Sequence, residues 1–525
     1  MKLDRNALQE LGAKGYALPQ YHREKMVKAT VEEPAWLHFG AGNLFRAFPA
    51  VLSQRLLDQG LTEKGVICCE GYDGEVVTKF LRPYDDLTLV VSLLADGTME
   101  KEVVGSIAES LTLPEDTARV AEILKAPSLQ MVSFTITEKG YAVRGGNGEL
   151  LPYIQADLDR APQESKSFLG KLVWCCLERF ASCGAPLALV SMDNCSHNGA
   201  KLREAFFQIL DGWKERGYVS EEAYEYAQTK LSFPWSMIDK ITPRPHESVQ
   251  NALAADGLEG MEIQVTEKNT YIAPFVNTEK PQYLVIEDDF PNGRPPLEKA
   301  GVLFTTRETV NAVESMKVCT CLNPLHTALA IFGCLLGHTS IAKEMADEDL
   351  KALVTQMSSQ EGMPVVVDPG VIDPQAFLQE VLTQRFPNPF IPDTPQRIAT
   401  DTSQKLPIRF GVDIQRHWER GTAGGLKLMP LVLAGWLRYL KGVDDQGAAF
   451  QCSSDPRLAE FQPMVQKLSF GIVATPESFG GMLEDKTVWG VDLKEVGLDT
   501  LVVDYFNQLN QGPGAVRKVL RKYLA

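Results

Sequence analysis

The ten cysteines include no C-x-x-C pair; they fall at positions 68, 69, 175, 176, 183, 195, 319, 321, 334 and 452. Vicinal pairs and a C-x-C are poor disulfide frameworks, and the spacing argues against a structural zinc site. The expectation is buried, reduced thiols in a cytoplasmic protein. No run of 18 apolar residues escapes interruption by polar ones, so no membrane span is expected. The opening MKLDRNALQELGAKG lacks the apolar core of a signal peptide. Positive charge is scarce: 52 Lys and Arg stand against 68 Asp and Glu, for a net charge of -16. Such a chain lacks the basic footprint of a general nucleic-acid binder. Internal repeats and low-complexity tracts are also missing.

What is present is a long chain with ample apolar content. At 525 residues and 44% hydrophobic composition it should hold two or more domains. Residues 1–33 read as a polar lead-in. Trp36-Leu-His-Phe then runs into Gly40-Ala-Gly42, and a helical pattern follows. Glycines at such a turn let the backbone approach a pyrophosphate. The third glycine of the usual fingerprint is missing, with Phe45 and Arg46 near its place. The next strand, Gly65–Glu70, ends in an acid 28 residues after Gly42. An acid there would accept bonds from ribose hydroxyls and repel a 2′-phosphate, which favours NAD over NADP. Asp73 is a rival for that role. Candidate cofactor contacts are therefore Gly40, Gly42, Asn43, Leu44, Arg46 and Glu70.

Strands at Leu87–Leu94, Gln130–Thr137, Pro186–Met192 and Tyr283–Glu287 alternate with helices at Phe168–Cys183 and Ala200–Gly217. That alternation predicts an α/β fold with a doubly wound, Rossmann-type parallel sheet. Phe233–Pro243 reads as a structured loop. The turn-rich stretch after Tyr283–Glu287 suggests a boundary, giving domains 1–285 and 286–525. The second half reads as mainly helical.

One helix in that half stands out, from about Ala312 to Gly337. It carries Lys317, Asn323 and His326 on an apolar background. Asn323 and His326 are three apart and share a helix face. A buried lysine amine can take an alcohol proton. An amide NH₂ can stabilise the alkoxide left behind. Taken alone, each residue also has an ordinary reading, as a surface lysine, a helix-breaking Asn-Pro and a core histidine.

Ordered motifs shift that balance. FGAGNLFRA (39–47), TITEKGY (135–141), SMDNCSHNG (191–199), FPWSMIDKITP (233–243), VIEDDFPNGRPPLEKAG (285–301), LNPLHT (322–327) and RFPNPFIPDTPQRIATDTSQKLP (385–407) span nearly the whole chain. Together they resemble the polyol-specific long-chain dehydrogenase/reductase family, which includes mannitol, fructuronate and tagaturonate enzymes. The resemblance implies an N-terminal NAD-binding domain, a mostly helical C-terminal domain, and an active site in the cleft between them. It implies metal-independent chemistry with Lys317 as general acid/base. Asn194 and Asn323 would stabilise the oxyanion, and His326 would bind a substrate hydroxyl. Asp239 would support the site, Glu138 would lie on a proton path to solvent, and Arg397 and Lys405 would reach substrate oxygens.

Two departures from the family pattern stand out. The family commonly places its lysine five residues before the asparagine, whereas Lys317 is six before Asn323. On an ideal helix one extra residue turns a side chain by about 100°. A π-bulge between the two would absorb it. Pro324 and Leu325 stand where small residues are usual.

The expected partner is a small sugar acid or polyol, bound by a monomer or small homo-oligomer. Fructuronate and mannonate are favoured because Arg397, Lys405, Arg244 and His246 could meet a carboxylate. Mannitol/fructose and tagaturonate/altronate remain alternatives. An NAD-containing epimerase and a non-catalytic sugar sensor are the readings from other classes.

Overall fold

The computed structural model describes residues 1–524, and the chain divides into two compact units. The first comprises residues 1–94 and 98–311; the second comprises 95–97 and 312 onward. Six strands form the main sheet of the first unit: β1 (Trp36–Phe39), β2 (Val66–Glu70), β3 (Ile107–Thr112), β4 (Met131–Phe134), β5 (Leu187–Ser191) and β6 (Leu231–Ser232). Their order is β3-β2-β1-β4-β5-β6, and every neighbouring pair is parallel. This is the order of a doubly wound dinucleotide-binding sheet, whose switch point lies between β1 and β4.

The strand sequences explain the architecture. WLHF, VICCE, MVSF and LALVS are buried along their full length, as strands covered on both faces must be. Alternate residues serve two separate cores. Leu37, Phe39, Ile67 and Val132 face one, with the helices Thr117–Lys125, Phe168–Ser182 and Asn198–Glu215. Trp36, Cys68, Met131 and Val190 face the other, with the helix Pro49–Asp58.

Several expectations need correction. The strand expected at Leu87–Leu94 forms (Thr88–Leu93) but lies outside the main sheet, between Phe275–Glu279 and Met99–Val104. The strand β3, whose sequence IAESLT is half polar, takes the edge place instead. The stretch 233–243 is not all loop: Ser236–Asp239 pairs antiparallel with Tyr283–Glu287, which pairs in turn with Leu303–Thr305. A boundary at 285/286 would cut that central strand, so the first unit runs on to Asn311.

The second unit is built from helices and short helical turns. Its helix Leu428–Tyr439 is buried at every residue. The apolar stretch Arg307–Leu336 is long enough by composition to cross a membrane, but 78% of its most apolar window is buried inside the protein. None of the ten cysteines forms a disulfide; eight are buried, while Cys183 and Cys195 are partly exposed.

Candidate active site

The turn after β1 is built by two glycines with different jobs. Gly40 has φ +104°, and a Cβ there would lie 2.3 Å from the Thr135 carbonyl oxygen beyond β4. Only glycine lets the two strand ends come that close. At Gly42 a Cβ would meet nothing within 4 Å, so open space adjoins the backbone there. The Glu70 carboxylate ties the turn down. Its Oε2 accepts from the Ala41 amide at 2.8 Å, and its Oε1 from the amides of Tyr72 (2.9 Å) and Asp73 (3.2 Å). Asp73 accepts from the Thr266 hydroxyl at 2.6 Å.

Arg46 does not face this space. Its guanidinium is fully buried and donates to the Ala273 carbonyl, the Thr88 hydroxyl and the Asn43 side chain. The expected cofactor contact through Arg46 is therefore corrected: the side chain braces the core beneath the turn. Asn43 and Leu44 stay partly exposed beside Gly42.

The ends of β4 and β5 are held by another buried carboxylate. Asp193 accepts from the amides of Ile136 and Thr137 and from the Tyr141 hydroxyl. Burial pushes its pKa up. Thr137 sits at φ +65°, a region costly for a β-branched residue, and the Asp193 bonds hold it there. Asn194 follows at the surface, and it does not cap the next helix: that helix begins at Asn198, whose buried amide bonds the Ser191 and Asp193 carbonyls. Glu138 is exposed and ion-paired with Lys201. Asp239 is buried at the end of its strand, opposite Tyr283. Arg244 lies over the Tyr271 ring, 4.0 Å from its centroid, and His246 caps the helix Glu247–Ala255.

In the second unit the helix expected from Ala312 to Gly337 is interrupted. A π-helical turn occupies Met316–Cys321, so the extra residue after Lys317 is taken up inside the helix. The Leu322 amide bonds the Lys317 carbonyl five residues back, at 3.1 Å. Leu322 leaves helical geometry, and a new helix starts at Asn323 with Pro324 in its first turn, where no amide donor is needed. Lys317 is buried, whereas Asn323 and His326 are half-buried. Asp413 and Arg416 brace the π-turn. Asp413 accepts from Thr320 at 3.2 Å and from Arg416 at 2.8 Å, and Arg416 reaches Ser315 at 3.0 Å.

His326 lies in a cationic neighbourhood. Burial, then Arg409, Arg397, Arg385 and Lys405, lower its pKa to about 3. These surroundings favour the neutral imidazole, whose ring nitrogens can orient a hydroxyl. Its Nε2 is 3.4 Å from Asp393 Oδ2, without the alignment of a hydrogen bond. The ring packs on Phe386. Asp393 also pairs with Arg397, which is largely exposed. Lys405 donates to the carbonyls of Ile398 and Thr400, and burial lowers its pKa to about 8. The residues brought together here are Asn323, His326, Asp393, Arg397 and Arg409. Arg385 and Arg409 had no assigned role in the sequence reading, although Arg385 opens the last matching motif and Arg409 stands two residues beyond its end.

Known families match both units. The mannitol dehydrogenase Rossmann domain matches residues 34–299, and the mannitol dehydrogenase C-terminal domain matches 309–511. The chain belongs to the mannitol dehydrogenase family. Within this family it is 47% identical to the D-mannonate oxidoreductase of Thermotoga maritima, across 99% of this chain and 97% of that protein. It is 31% identical to the mannitol 2-dehydrogenase of Pyrenophora tritici-repentis, across 94% of this chain and 81% of the relative. A solved ternary complex of Pseudomonas fluorescens mannitol 2-dehydrogenase with NAD and D-mannitol is similar over 100% of this chain and 99% of its own, at 26% identity and a TM-score of 0.71.

Proposed function

We propose that this member of the mannitol dehydrogenase family is an NAD(H)-dependent oxidoreductase that interconverts a secondary alcohol and a ketone on an open-chain sugar acid or polyol. D-fructuronate and D-mannonate are the preferred pair. The observation that carries the sugar-acid reading is the excess of cationic side chains around the neutral His326, on the helix that follows Lys317. The 47% identity to a D-mannonate oxidoreductase supports the same choice.

The first unit fits a dinucleotide. Gly40 brings the strand ends together, the space beside Gly42 is open, and the switch point lies at β1 and β4. Gly40, Gly42, Asn43 and Leu44 would hold the cofactor, with Glu70 shaping the turn. Bound nicotinamide supplies or accepts the hydride. The chain's own part is proton and charge handling. In oxidation the Lys317 amine takes the hydroxyl proton, and in reduction its ammonium returns a proton to the carbonyl oxygen. The amides of Asn323 and Asn194 donate to the developing alkoxide. Neutral His326 orients a neighbouring hydroxyl. The roles given to Asn194, Asp239, Glu138, Arg397 and Lys405 rest on the family resemblance. The reading assigns no metal, and ten cysteines outside any disulfide support a reducing, cytoplasmic setting.

Steady-state NADH oxidation with fructuronate, tagaturonate and fructose tests the reading. The highest kcat/KM is expected for fructuronate. Turnover of fructose alone, with neither uronate above background, would reject the sugar-acid reading in favour of mannitol dehydrogenase. Net NADH consumption by any of the three would exclude an epimerase.

A further inference from the structure

Of the four cations around His326, Arg385 is buried, and the other three differ in what they already bind. Arg397 is exposed and already paired with Asp393. The Lys405 ammonium commits two of its three hydrogens to backbone carbonyls. Arg409 is different. It is half-buried in the helical turn Pro407–Gly411, and only its Nη1 is engaged. That nitrogen donates to the Thr327 hydroxyl at 2.7 Å and lies 3.5 Å from the Asn323 carbonyl oxygen. Its Nε and Nη2 have no acceptor among the described residues, and neither is sealed from solvent. No carboxylate pairs with Arg409 among the described residues, although desolvation there lowers its pKa to about 10.

A guanidinium pinned along one edge and open along the other is pre-oriented for two parallel bonds to a carboxylate. The pinned edge rests on Asn323 and Thr327, the first turn of the helix that carries His326. An anion on the open edge would thus be fixed relative to those same side chains. We propose that Arg409 reads the carboxylate of an open-chain sugar acid, with Lys405 as the accessory cation. Arg409, rather than Arg397, then sets the preference for a sugar acid over an uncharged polyol or ketose. The inference rests on the sugar-acid reading above and sharpens it to one residue.

Arg409→Gln keeps a donor for Thr327 but removes the charge and the fork. Its kcat/KM should fall on the order of 100-fold with fructuronate and stay within about threefold with fructose. Arg397→Gln should leave the ratio of the two substrates unchanged. Thr327→Val, which removes only the brace, should lower kcat/KM with fructuronate about tenfold and leave fructose within about threefold. Equal losses on both substrates in Arg409→Gln would overturn the proposal, as would a changed ratio in Arg397→Gln alone. Calorimetric binding of D-gluconate to the full chain with NAD present separates this from the functional reading. If fructose is the only ketose reduced, yet Arg409→Gln loses gluconate affinity about 100-fold, the substrate reading fails and the carboxylate site stands. Equal gluconate affinity in wild type and Arg409→Gln would reject the site whatever the substrate.

Discussion

The turn after β1 and the turn around Lys317 both leave regular geometry, and they do so by opposite means. In the first, a residue is pared down: Gly40 has no Cβ, so the chain can sit at φ +104° against Thr135. In the second, a residue is added: the π-turn Met316–Cys321 holds one more residue than an α-turn would. The glycine turn works through backbone groups and suits a ligand that every member of a cofactor class shares. The π-turn aims one side chain and suits chemistry that depends on a single amine.

That contrast can be broken experimentally. Lys317→Ala should cost the most, lowering kcat about 10³- to 10⁴-fold, with NADH affinity by fluorescence titration unchanged. Next comes the length of the π-turn. An alanine inserted after Val318 adds a residue that the turn has no further room to absorb, and it rotates the lysine by about 100°. It should lower kcat on the order of 100-fold. Deleting Val318 should let the turn relax to α-helix and retain activity within about tenfold, so equal damage from insertion and deletion would refute the alignment role. Gly40→Ala should act on the other side of the comparison, weakening NADH binding on the order of tenfold to 100-fold through the strained φ and the clash with Thr135.

The smallest effect concerns pH. The Lys405 pKa is depressed by burial to about 8, so its positive charge is present below that pH and lost as pH rises through it. KM for the sugar acid should rise by up to about tenfold between pH 7 and pH 9, while KM for NADH stays flat. Lys405→Met should show no such rise in that range. A pH-dependent KM that persists in Lys405→Met would point to another group.

Legibility in the sequence follows the same division. The glycine turn was readable because a backbone requirement writes itself in residue type. The π-turn was readable as an insertion, from the six-residue spacing of Lys317 and Asn323. Arg46 was misjudged because nothing in FGAGNLFRA shows that its guanidinium turns inward to the Ala273 carbonyl. The domain boundary was set too early because Tyr283–Glu287 finds both of its partners far along the chain. The cations around His326 were only half visible. Lys405 and Arg409 are four apart on the continuous helical run 402–419, but Arg385 and Arg397 stand on two other segments and join them only through tertiary packing.

Glu70 has a consequence for motion. One carboxylate receives amides from two loops, Ala41 after β1 and Tyr72 with Asp73 after β2. The shared carboxylate couples the two loops, so the three amides should exchange with deuterium as one cooperative unit rather than as independent loop positions. A Glu70→Ala chain should uncouple them. Its rim would then flicker in separate pieces, and cofactor capture would shift from docking onto a preset edge to waiting for two loops to coincide.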